Sequence, residues 1–413
     1  MLQLLAFADH DAKISPLVGS PHGSSAMVVL SSFIQFHARR TPDRVALVYG
    51  ADRITYAEFM RRIEATAGWL AAYGIVPGDV HNYSNFYWKC ADHVVALGLS
   101  ASDRLLIAGP LYHVGAFDLP GVAVLWVGGT LSILRDFSPA HALAAIAQER
   151  LTGAWLAPVM LGSMLAQPNR ADYDLASVQW VVGGGERTPE TRIRAFSSLF
   201  TRARYIDAYG LTETCSGDTM MEAGREIEKI GSVGRPLAHV EVEIRGPEGQ
   251  RLATGNTGEI CLRGPKVTQG YWKDPEKTKA SFFGDWFRTG DVGHLDAEGF
   301  LYLTDRKKDM IVSGGENIAS SEVERVIYEL PQVEDAAVIG VADERWGERP
   351  VAVVVLKPGQ VLTLEALQDH CRRKLAGFKV PKELIVRTDL PRNPSGKILK
   401  RLLREDVTAP RNC

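Results

Sequence analysis

The chain has 413 residues, of which 46% are hydrophobic and 23% are charged. These values are ordinary for a soluble globular protein with two or three domains and a substantial core. The formal net charge of −2 gives no reason to expect nucleic acid as a partner, and no stretch approaches the length of a transmembrane span. The five cysteines are scattered without metal-ligand spacing, which indicates reduced thiols, so we expect a cytoplasmic protein.

Local patterns predict the first elements of the fold. Residues 1–26 lack the basic and apolar regions of a signal peptide, and we expect them to form a loose N-terminal extension. Residues 46–56, ALVYGADRITY, predict a β-hairpin around a Gly-Ala-Asp turn. Thr55 and Glu58 form a capping-box pattern that predicts the start of a helix. Residues 81–88, HNYSNFYW, begin an aromatic-rich amphipathic stretch that predicts another helix.

Two different patterns of predicted secondary structure follow along the chain. From residue 81 to about residue 200, strand-like and helix-like segments alternate, which predicts a layered α/β domain. From about 231 to 303, short strands separated by glycine turns predict a β-rich subdomain. We therefore assign the α/β fold class and place a large layered N-terminal domain, with this subdomain, over residues 27–306.

A compact unit closes the chain. Residues 305–317, DRKKDMIVSGGEN, are polar, basic and glycine-containing, which is typical of a hinge. Ser321 and Glu324 form a second capping-box pattern and predict the first helix of a small α+β unit. We assign residues 307–413 to this unit and expect it to be a mobile C-terminal domain.

Three glycines directly follow a predicted buried strand in VQWVVGGGERTPE and precede a predicted helix that starts at Pro189. Glycine lets the backbone approach a flat or anionic ligand closely. A helix N-terminus also favours negative charge. The alternative is a tight strand-to-helix turn without a ligand.

The stretch YIDAYGLTETCSG is more informative. A strand ends at Tyr209-Gly210, and Thr212, Glu213 and Thr214 bring two hydroxyls and a carboxylate to its exit. Such oxygens suit Mg²⁺, which in proteins takes one or two carboxylates together with substrate phosphates. An exposed tyrosine beside glycine could stack on a base. The alternative is a capped loop with a solvated glutamate.

Two further motifs carry single charged candidates. In DWFRTGDVG we expect Asp291 in a glycine-flanked turn, where its carboxylate could accept hydrogen bonds from both hydroxyls of a ribose. An Asx-type turn is the alternative. In LPRNPSGKILKRLLRE, Lys397 follows a Pro-Ser-Gly turn. The alternative is a solvated surface lysine, since the full phosphate-loop pattern around Gly-Lys is absent.

The order and wording of five motifs identify a family. The motifs YGLTET, WFRTGD, DRKKDMIVSGGENI, VIGVADERWGE and NPSGKILKR strongly resemble those of the adenylate-forming superfamily, specifically its AMP-forming acyl-CoA synthetases, the fatty-acid–CoA ligases. The resemblance covers the chain from about Val28 to Asp406. It implies that a carboxylic acid reacts with ATP to give an acyl-adenylate, from which coenzyme A takes the acyl group.

The resemblance also implies roles for single residues. Thr212 would contact phosphate, and Glu213 would hold Mg²⁺. Lys397 would reach the site during adenylation only, where a cation stabilises the charge that develops as two anions meet. The positions implied to bind the nucleotide are Gly184, Gly185, Glu186, Tyr209, Gly210, Asp291 and Arg306.

Three further roles are implied, for the hinge, the coenzyme A tunnel and the acyl pocket. Lys308 would be the hinge around which the C-terminal domain turns. Gly314 and Gly315 of SGGEN would then approach the tunnel for the pantetheine arm of coenzyme A. His113 in PLYHVGAF matches the family's gate between the nucleotide and acyl pockets.

One departure from the family lies at the junction of Val80 and His81. The family has several strands and helices there, followed by a Ser/Thr/Gly-rich loop that wraps the β- and γ-phosphates of ATP. No such loop occurs in the sequence. We therefore predict an internal truncation between Val80 and His81 that removes donors for pyrophosphate.

The sequence leaves the activity and the acid open. A non-catalytic relative that binds nucleotide or acyl groups, or an enzyme that loads a carrier protein, are alternatives to a coenzyme A ligase. The apolar region around YHVGAFDLPGVAVLWVGG suits a fatty acyl chain, or a buried strand and helix without a pocket. The expected partner is a small carboxylic acid, and a peripheral membrane contact stays open.

Overall fold

The computed structural model describes residues 30–72, 82–111, 114–185, 188–271, 273–306, 309–392 and 398–408. Within these residues no helix is long and apolar enough to cross a membrane. Short helices of other types cover Val114–Val122, Arg170–Asp172, Thr212–Thr214 and Gly377–Lys379. The α-helices are α1 Leu30–Arg40, α2 Tyr56–Ala72, α3 Tyr83–Leu97, α4 Ala123–Trp126, α5 Pro139–Glu149, α6 Pro158–Leu165, α7 Glu190–Phe196, α8 Pro275–Ala280, α9 Ser320–Ile327, α10 Leu364–Arg372 and α11 Lys400–Thr408.

A mixed sheet of nine strands lies in the N-terminal part of the described chain. Its strands are β1 Val45–Tyr49, β2 Asp52–Thr55, β3 Arg104–Ile107, β4 Thr130–Ile133, β5 Gly153–Leu156, β6 Trp180–Gly183, β7 Arg204–Tyr209, β8 Thr219–Met220 and β9 Arg235–Pro236. They are ordered β2-β1-β4-β3-β5-β6-β7-β8-β9. Neighbouring strands from β1 to β7 in this order pair in parallel. The pairs β2-β1, β7-β8 and β8-β9 at the two ends of the sheet are antiparallel. The carboxyl ends of β5, β6 and β7 therefore meet at one edge of the sheet.

A second, antiparallel sheet follows in the sequence. Its strands are β10 Glu241–Arg245, β11 Gly258–Arg263, β12 Phe282–Phe283, β13 Trp286–Leu295 and β14 Leu301–Arg306. They are ordered β10-β11-β13-β12, and β14 also pairs with β13. One hydrophobic core joins this sheet to the first, since it contains Ile260, Leu262 and Phe287 together with Val181 and Val182. The predicted β-rich subdomain thus packs onto the layered domain.

A third sheet forms the C-terminal unit. Its strands are β15 Ile311–Ser313, β16 Glu316–Ile318, β17 Val333–Asp343, β18 Gly347–Leu356 and β19 Glu383–Arg387, ordered β16-β15-β18-β17 with β19 beside β18. Alternate residues of β17 enter two different cores, because side chains in a strand point to opposite faces in turn. Ala336 and Val338 face one core, while Ala337 and Ile339 face the core that contains Leu403 of α11. The predicted fold class, with its large α/β part and small α+β unit, is confirmed.

Local sequence signals predicted several elements correctly. The hairpin forms from β1 and β2, and the Glu58 backbone N–H donates to Thr55 Oγ1 over 3.3 Å at the start of α2. Asn82 caps α3, accepting from the Asn85 N–H over 3.1 Å while its own N–H donates to Asn85 Oδ1 over 2.8 Å. The helix expected in HNYSNFYW is therefore confirmed. The junction between residues 80 and 81 lies outside the described residues.

The second predicted capping box is wrong. Helix α9 begins at Ser320, so Ser321 lies within it. The backbone N–H and the hydroxyl of Ser320 both donate to Asp305 Oδ2, over 2.5 and 2.6 Å. Glu324 pairs instead with Lys400 Nζ at 2.7 Å. A carboxylate from outside the helix accepts from its first N–H group, which the local pattern could not reveal.

Candidate active site

The carboxyl ends of β6 and β7 bring several sequence-predicted positions to one sheet edge. Gly184 and Gly185 directly follow β6, and Gly210 directly follows β7, which is parallel to it. A Cβ atom on Gly210 would lie 2.3 Å from the backbone nitrogen of Gly217, a distance that no side chain tolerates. The loop after β7 therefore folds back tightly onto the strand end. Glycine at position 210 is a packing requirement of this edge.

Tyr209 is buried, and the expectation of an exposed aromatic side chain is wrong. Its side chain lies in the shared core, and its residue is 8% exposed. The hydroxyl donates to Asp291 Oδ2 over 2.8 Å. Burial raises the pKa of Tyr209 well above its ordinary value, and the nearby Asp291 adds to the shift. The tyrosine is therefore a permanent donor to this carboxylate.

Asp291 lies within strand β13, so the expectation of a turn at this position is also wrong. Gly290 has a φ of +72°, and the strand continues through it, paired with β14. In that pairing Asp291 stands opposite Arg306, whose Nε lies 3.5 Å from Asp291 Oδ1. The carboxylate thus contacts a phenol at one oxygen and a guanidinium at the other. Such a buried acceptor is suited to a ligand's hydroxyl groups.

Glu213 lies in the short helix Thr212–Thr214, directly beyond the end of β7. Its Oε1 accepts a hydrogen bond from the Tyr271 hydroxyl over 2.9 Å, and its backbone oxygen accepts from the Thr268 N–H over 2.7 Å. Burial, together with the Glu213 carboxylate, raises the pKa of Tyr271 to about 12. Tyr271 therefore remains a donor near neutral pH. Thr212 itself is exposed at the surface of this loop.

Gly314 and Gly315 form the tip of the hairpin between β15 and β16. Their φ angles are +60° and +85°, the left-handed region that a two-residue hairpin turn requires. The Gly314 N–H donates to the Trp346 carbonyl oxygen over 2.7 Å. The SGGEN motif is thus a tight turn of the third sheet. Four other sequence-predicted positions lie outside the described residues: His113, Glu186, Lys308 and Lys397.

Comparison with known families now bears on this arrangement. Residues 78–272 match the family model of the AMP-binding enzymes, and residues 322–397 match the model of the AMP-binding enzyme C-terminal domain. The chain belongs to the AMP-binding enzyme family. The resemblance to the adenylate-forming superfamily is thereby confirmed.

Curated AMP-binding relatives include several acid–CoA ligases. Feruloyl-CoA synthase of Amycolatopsis sp is 38% identical over 323 residues, which are 78% of this chain and 65% of that protein. The long-chain-fatty-acid–CoA ligase FadD13 of Mycobacterium tuberculosis is 35% identical over 332 residues, 80% of this chain and 65% of that protein. The 2-succinylbenzoate–CoA ligase of Bacillus subtilis is 34% identical over 395 residues, 93% of this chain and 78% of its own length. The chain therefore spans about two-thirds of the length of the first two relatives.

Solved structures of AMP-binding enzymes share the fold. The o-succinylbenzoate CoA synthetase MenE of Bacillus subtilis, in complex with the acyl-adenylate intermediate OSB-AMP, superposes with a TM-score of 0.81 at 27% identity. The match covers 92% of this chain and 98% of that one. The same enzyme in complex with ATP and magnesium ion superposes with a TM-score of 0.80.

A buried ion pair beneath this site was not predicted from the sequence. Lys266 and Asp218 have fully buried side chains, with Lys266 Nζ 3.0 Å from Asp218 Oδ1. Burial raises the pKa of the Asp218 carboxyl, and the Lys266 ammonium opposes that shift. Thr214 donates a further hydrogen bond to the same carboxylate. Lys266 is 50 positions from Ser216, which also accepts from it, so no local pattern could connect them.

Proposed function

We propose that this chain activates a carboxylic acid with ATP and transfers the acyl group to coenzyme A. In the first step a carboxylate oxygen bonds to the α-phosphorus and pyrophosphate leaves. In the second, the thiol sulfur bonds to the acyl carbon, AMP leaves and the thiol proton is released. The observation that carries the proposal is the Tyr209–Asp291–Arg306 cluster at the end of β7, in a chain of the AMP-binding family.

Asp291 would hold the ribose of the nucleotide. Its carboxylate can accept from both ribose hydroxyls, and the buried Tyr209 hydroxyl fixes the direction of one oxygen. Arg306 places a positive charge beside the other oxygen, with its Nε 3.5 Å from Oδ1. Gly184, Gly185 and Glu186 would line the adenine beside this cluster. With its ring buried, Tyr209 would contribute mainly through the hydroxyl.

The loop after β7 would supply the protein's ligand to a magnesium ion bound with the nucleotide. Within the described residues no cluster of three or more His, Cys, Asp or Glu could enclose a metal, so the chain would supply few ligands. Mg²⁺ is commonly held by one or two carboxylates and by substrate phosphates. Glu213 would be that carboxylate, and the exposed Thr212 would contact phosphate. The bound ion would neutralise charge on the phosphate oxygens.

Residues 307–413 would form the mobile C-terminal domain, with Lys308 as its hinge. Lys397 would face the reacting groups during adenylation, and its ammonium would stabilise the negative charge at the α-phosphorus. After rotation, the Gly314-Gly315 turn would face the pantetheine arm. His113 would separate the nucleotide and acyl pockets.

A fatty acid is the proposed substrate. The segment Val114–Val122, which is kinked at Leu119, and helix α4 are apolar and buried at Leu119, Val122 and Ala123. An aliphatic chain needs such an environment and no polar partner. Named relatives act on feruloyl, long-chain and succinylbenzoate groups, so an assay has to include aromatic acids.

The test is a product assay with purified protein, Mg-ATP, coenzyme A and a panel of decanoate, palmitate, ferulate and 2-succinylbenzoate. We expect AMP and acyl-CoA in equal amounts, highest with the aliphatic acids, and a loss of roughly 10²–10³-fold in the Lys397→Ala variant. Preference for an aromatic acid would overturn the fatty-acid assignment alone. No product from folded protein that binds nucleotide would favour a catalytically defective relative, as the predicted truncation at Val80 and His81 would cause.

A further inference from the structure

Residues 265–271, called here the connecting segment, run from the second sheet towards α8 across the loop that carries Glu213. Helix α3 holds one side of this segment. Asn85 Nδ2 donates to the carbonyl oxygens of Pro265 and Val267, over 2.8 and 3.1 Å. Asn85 is itself buried at 3% exposure and locked into the capping box of α3. The connecting segment therefore has a fixed position relative to the first sheet.

Lys266 joins the connecting segment to residues 216–218 on its other side. Its ammonium donates to the carbonyl oxygens of Ser216 and Gly217, over 2.9 and 2.6 Å, and lies 3.0 Å from Asp218 Oδ1. Two of the three N–H donors of the ammonium thus go to backbone carbonyl oxygens, and Asp218 supplies the opposite charge. A buried charge that moved would leave its hydrogen bonds unmade at high cost. The segment and the 213–218 loop are thus held in a fixed relative position, called here their register.

Within that register the connecting segment contacts Glu213 twice. The Thr268 N–H donates to the Glu213 carbonyl oxygen over 2.7 Å, which fixes the backbone. The Tyr271 hydroxyl donates to Glu213 Oε1 over 2.9 Å, which fixes the side chain. Among the described residues the structure gives this carboxylate no second side-chain partner. One oxygen is therefore oriented by the protein, and the carboxylate can use the other for a ligand.

Two residues of α8, Thr278 and Lys277, contact Tyr271 and restrict its position. Its backbone N–H donates to Thr278 Oγ1 over 2.8 Å, and Lys277 Nζ lies 3.7 Å from the centre of its ring. A cation over a tyrosine ring is attractive and restricts the ring's orientation. The hydroxyl is thus aimed at Glu213 by contacts that do not involve Glu213.

We propose that Tyr271 is a positioning residue that orients the Glu213 carboxylate for a divalent cation bound with the nucleotide, while Lys266 holds the loop in register. The inference rests on the proposed function, because it takes Glu213 as the magnesium ligand. Residues that orient metal ligands through hydrogen bonds affect metal affinity without touching the metal. Tyr271 acts through Glu213 and touches neither nucleotide nor acid.

The test compares Tyr271→Phe with wild-type protein by calorimetric titration of ATP at a series of Mg²⁺ concentrations and in EDTA. We expect the Mg²⁺ concentration for half-maximal tight ATP binding to rise roughly 10-fold. ATP affinity in EDTA should be unchanged. Tyr302→Phe is the matched control, since it removes the hydroxyl of another half-buried tyrosine, in strand β14, and it should leave both values unchanged.

A double-mutant cycle with Glu213→Gln separates positioning from general damage. If Tyr271 acts through Glu213, the Tyr271→Phe change should add almost nothing to the Mg²⁺ defect of Glu213→Gln. Equal Mg²⁺ dependence in Tyr271→Phe and wild type, or an equal loss of ATP binding with and without Mg²⁺, would overturn the inference alone. Absence of Mg²⁺-dependent ATP binding in the wild type would overturn the proposed function as well.

Discussion

The hydroxyl group of Tyr209 donates a 2.8 Å hydrogen bond to Oδ2 of Asp291 and so joins the first sheet to the second. The two residues are 82 positions apart, at the end of β7 and within β13. Arg306 approaches the other oxygen of the same carboxylate from β14. The proposed ribose site therefore forms where the first and second sheets pack against each other.

Replacing Asp291 by asparagine should weaken nucleotide binding. The amide has the shape of the carboxylate, but it lacks the charge and replaces one acceptor by a donor. A hydrogen bond to a charged group contributes about 1.5–3 kcal/mol, so the Kd for AMP should rise roughly 10- to 150-fold. Calorimetric titration with AMP measures this. Asp136→Asn, at a side chain that is 89% exposed, is the control and should bind AMP like the wild type.

Alkaline pH should destabilise the fold through its buried tyrosines. Burial raises the pKa of Tyr205, Tyr209 and Tyr328 well above the ordinary value. Above about pH 10 the unfolded chain releases these protons while the folded chain retains them, so the free energy of unfolding falls as pH rises. Below pH 10 this contribution is fully present. Tyr209→Phe should reduce the fall by up to about 1.4 kcal/mol per pH unit.

Urea unfolding between pH 8 and pH 11 tests that prediction. Tyr83→Phe, which changes an exposed tyrosine, should leave the slope of stability against pH unaltered. A slope in Tyr209→Phe equal to that of the wild type would contradict the assignment of Tyr209 as a protonated, buried donor.

Removal of Lys266 should be strongly destabilising because it leaves Asp218 buried without its cation. We expect Lys266→Met to lower the free energy of unfolding by about 3–5 kcal/mol, measured by urea unfolding at pH 7. The double variant Lys266→Met/Asp218→Leu should recover much of this loss, since well-packed apolar residues often replace a buried ion pair without cost. Additive losses in the double variant would show that the pair is not the source of the effect.

Substitution of Gly314 should disturb a neighbouring side chain as well as the backbone conformation. Gly314 and Gly359 both have positive φ, +60° and +74°, so alanine at either site should cost about 1–2 kcal/mol. Only at Gly314 would the new Cβ come within 2.9 Å of the Trp346 ring, while Gly359 has open space. Gly314→Ala should therefore slow acyl transfer from a supplied acyl-adenylate to coenzyme A, whereas Gly359→Ala should not. Equal rates in the two variants would contradict a role for the SGGEN turn in that step.

Local signals predicted the elements that local contacts stabilise. The hairpin of β1 and β2 pairs residues three to ten positions apart, the cap of α3 joins Asn82 to Asn85, and both form as expected. Asp291 was misplaced in a turn because the glycine before it suggested a chain reversal. Its strand continues because β14 pairs with it over long range.

The candidate site also combines residues that local motifs predicted with long-range contacts that no motif predicted. Tyr209, Glu213 and Asp291 were chosen from their motifs, but no motif indicated that Tyr209 would be buried against Asp291. Lys266 and Tyr271 belong to no polar motif in the sequence, although both form hydrogen bonds with the 213–218 loop. Contacts between separate elements had to be seen in the folded chain.

Acid-dependent exchange of labelled pyrophosphate into ATP tests the central claim most directly, because it reports reversible acyl-adenylate formation without coenzyme A. The account predicts exchange in the wild-type protein that requires both Mg²⁺ and a carboxylic acid. It also predicts that Asp291→Asn loses most of this exchange at limiting ATP. The absence of acid-dependent exchange in folded protein that binds ATP would contradict the account.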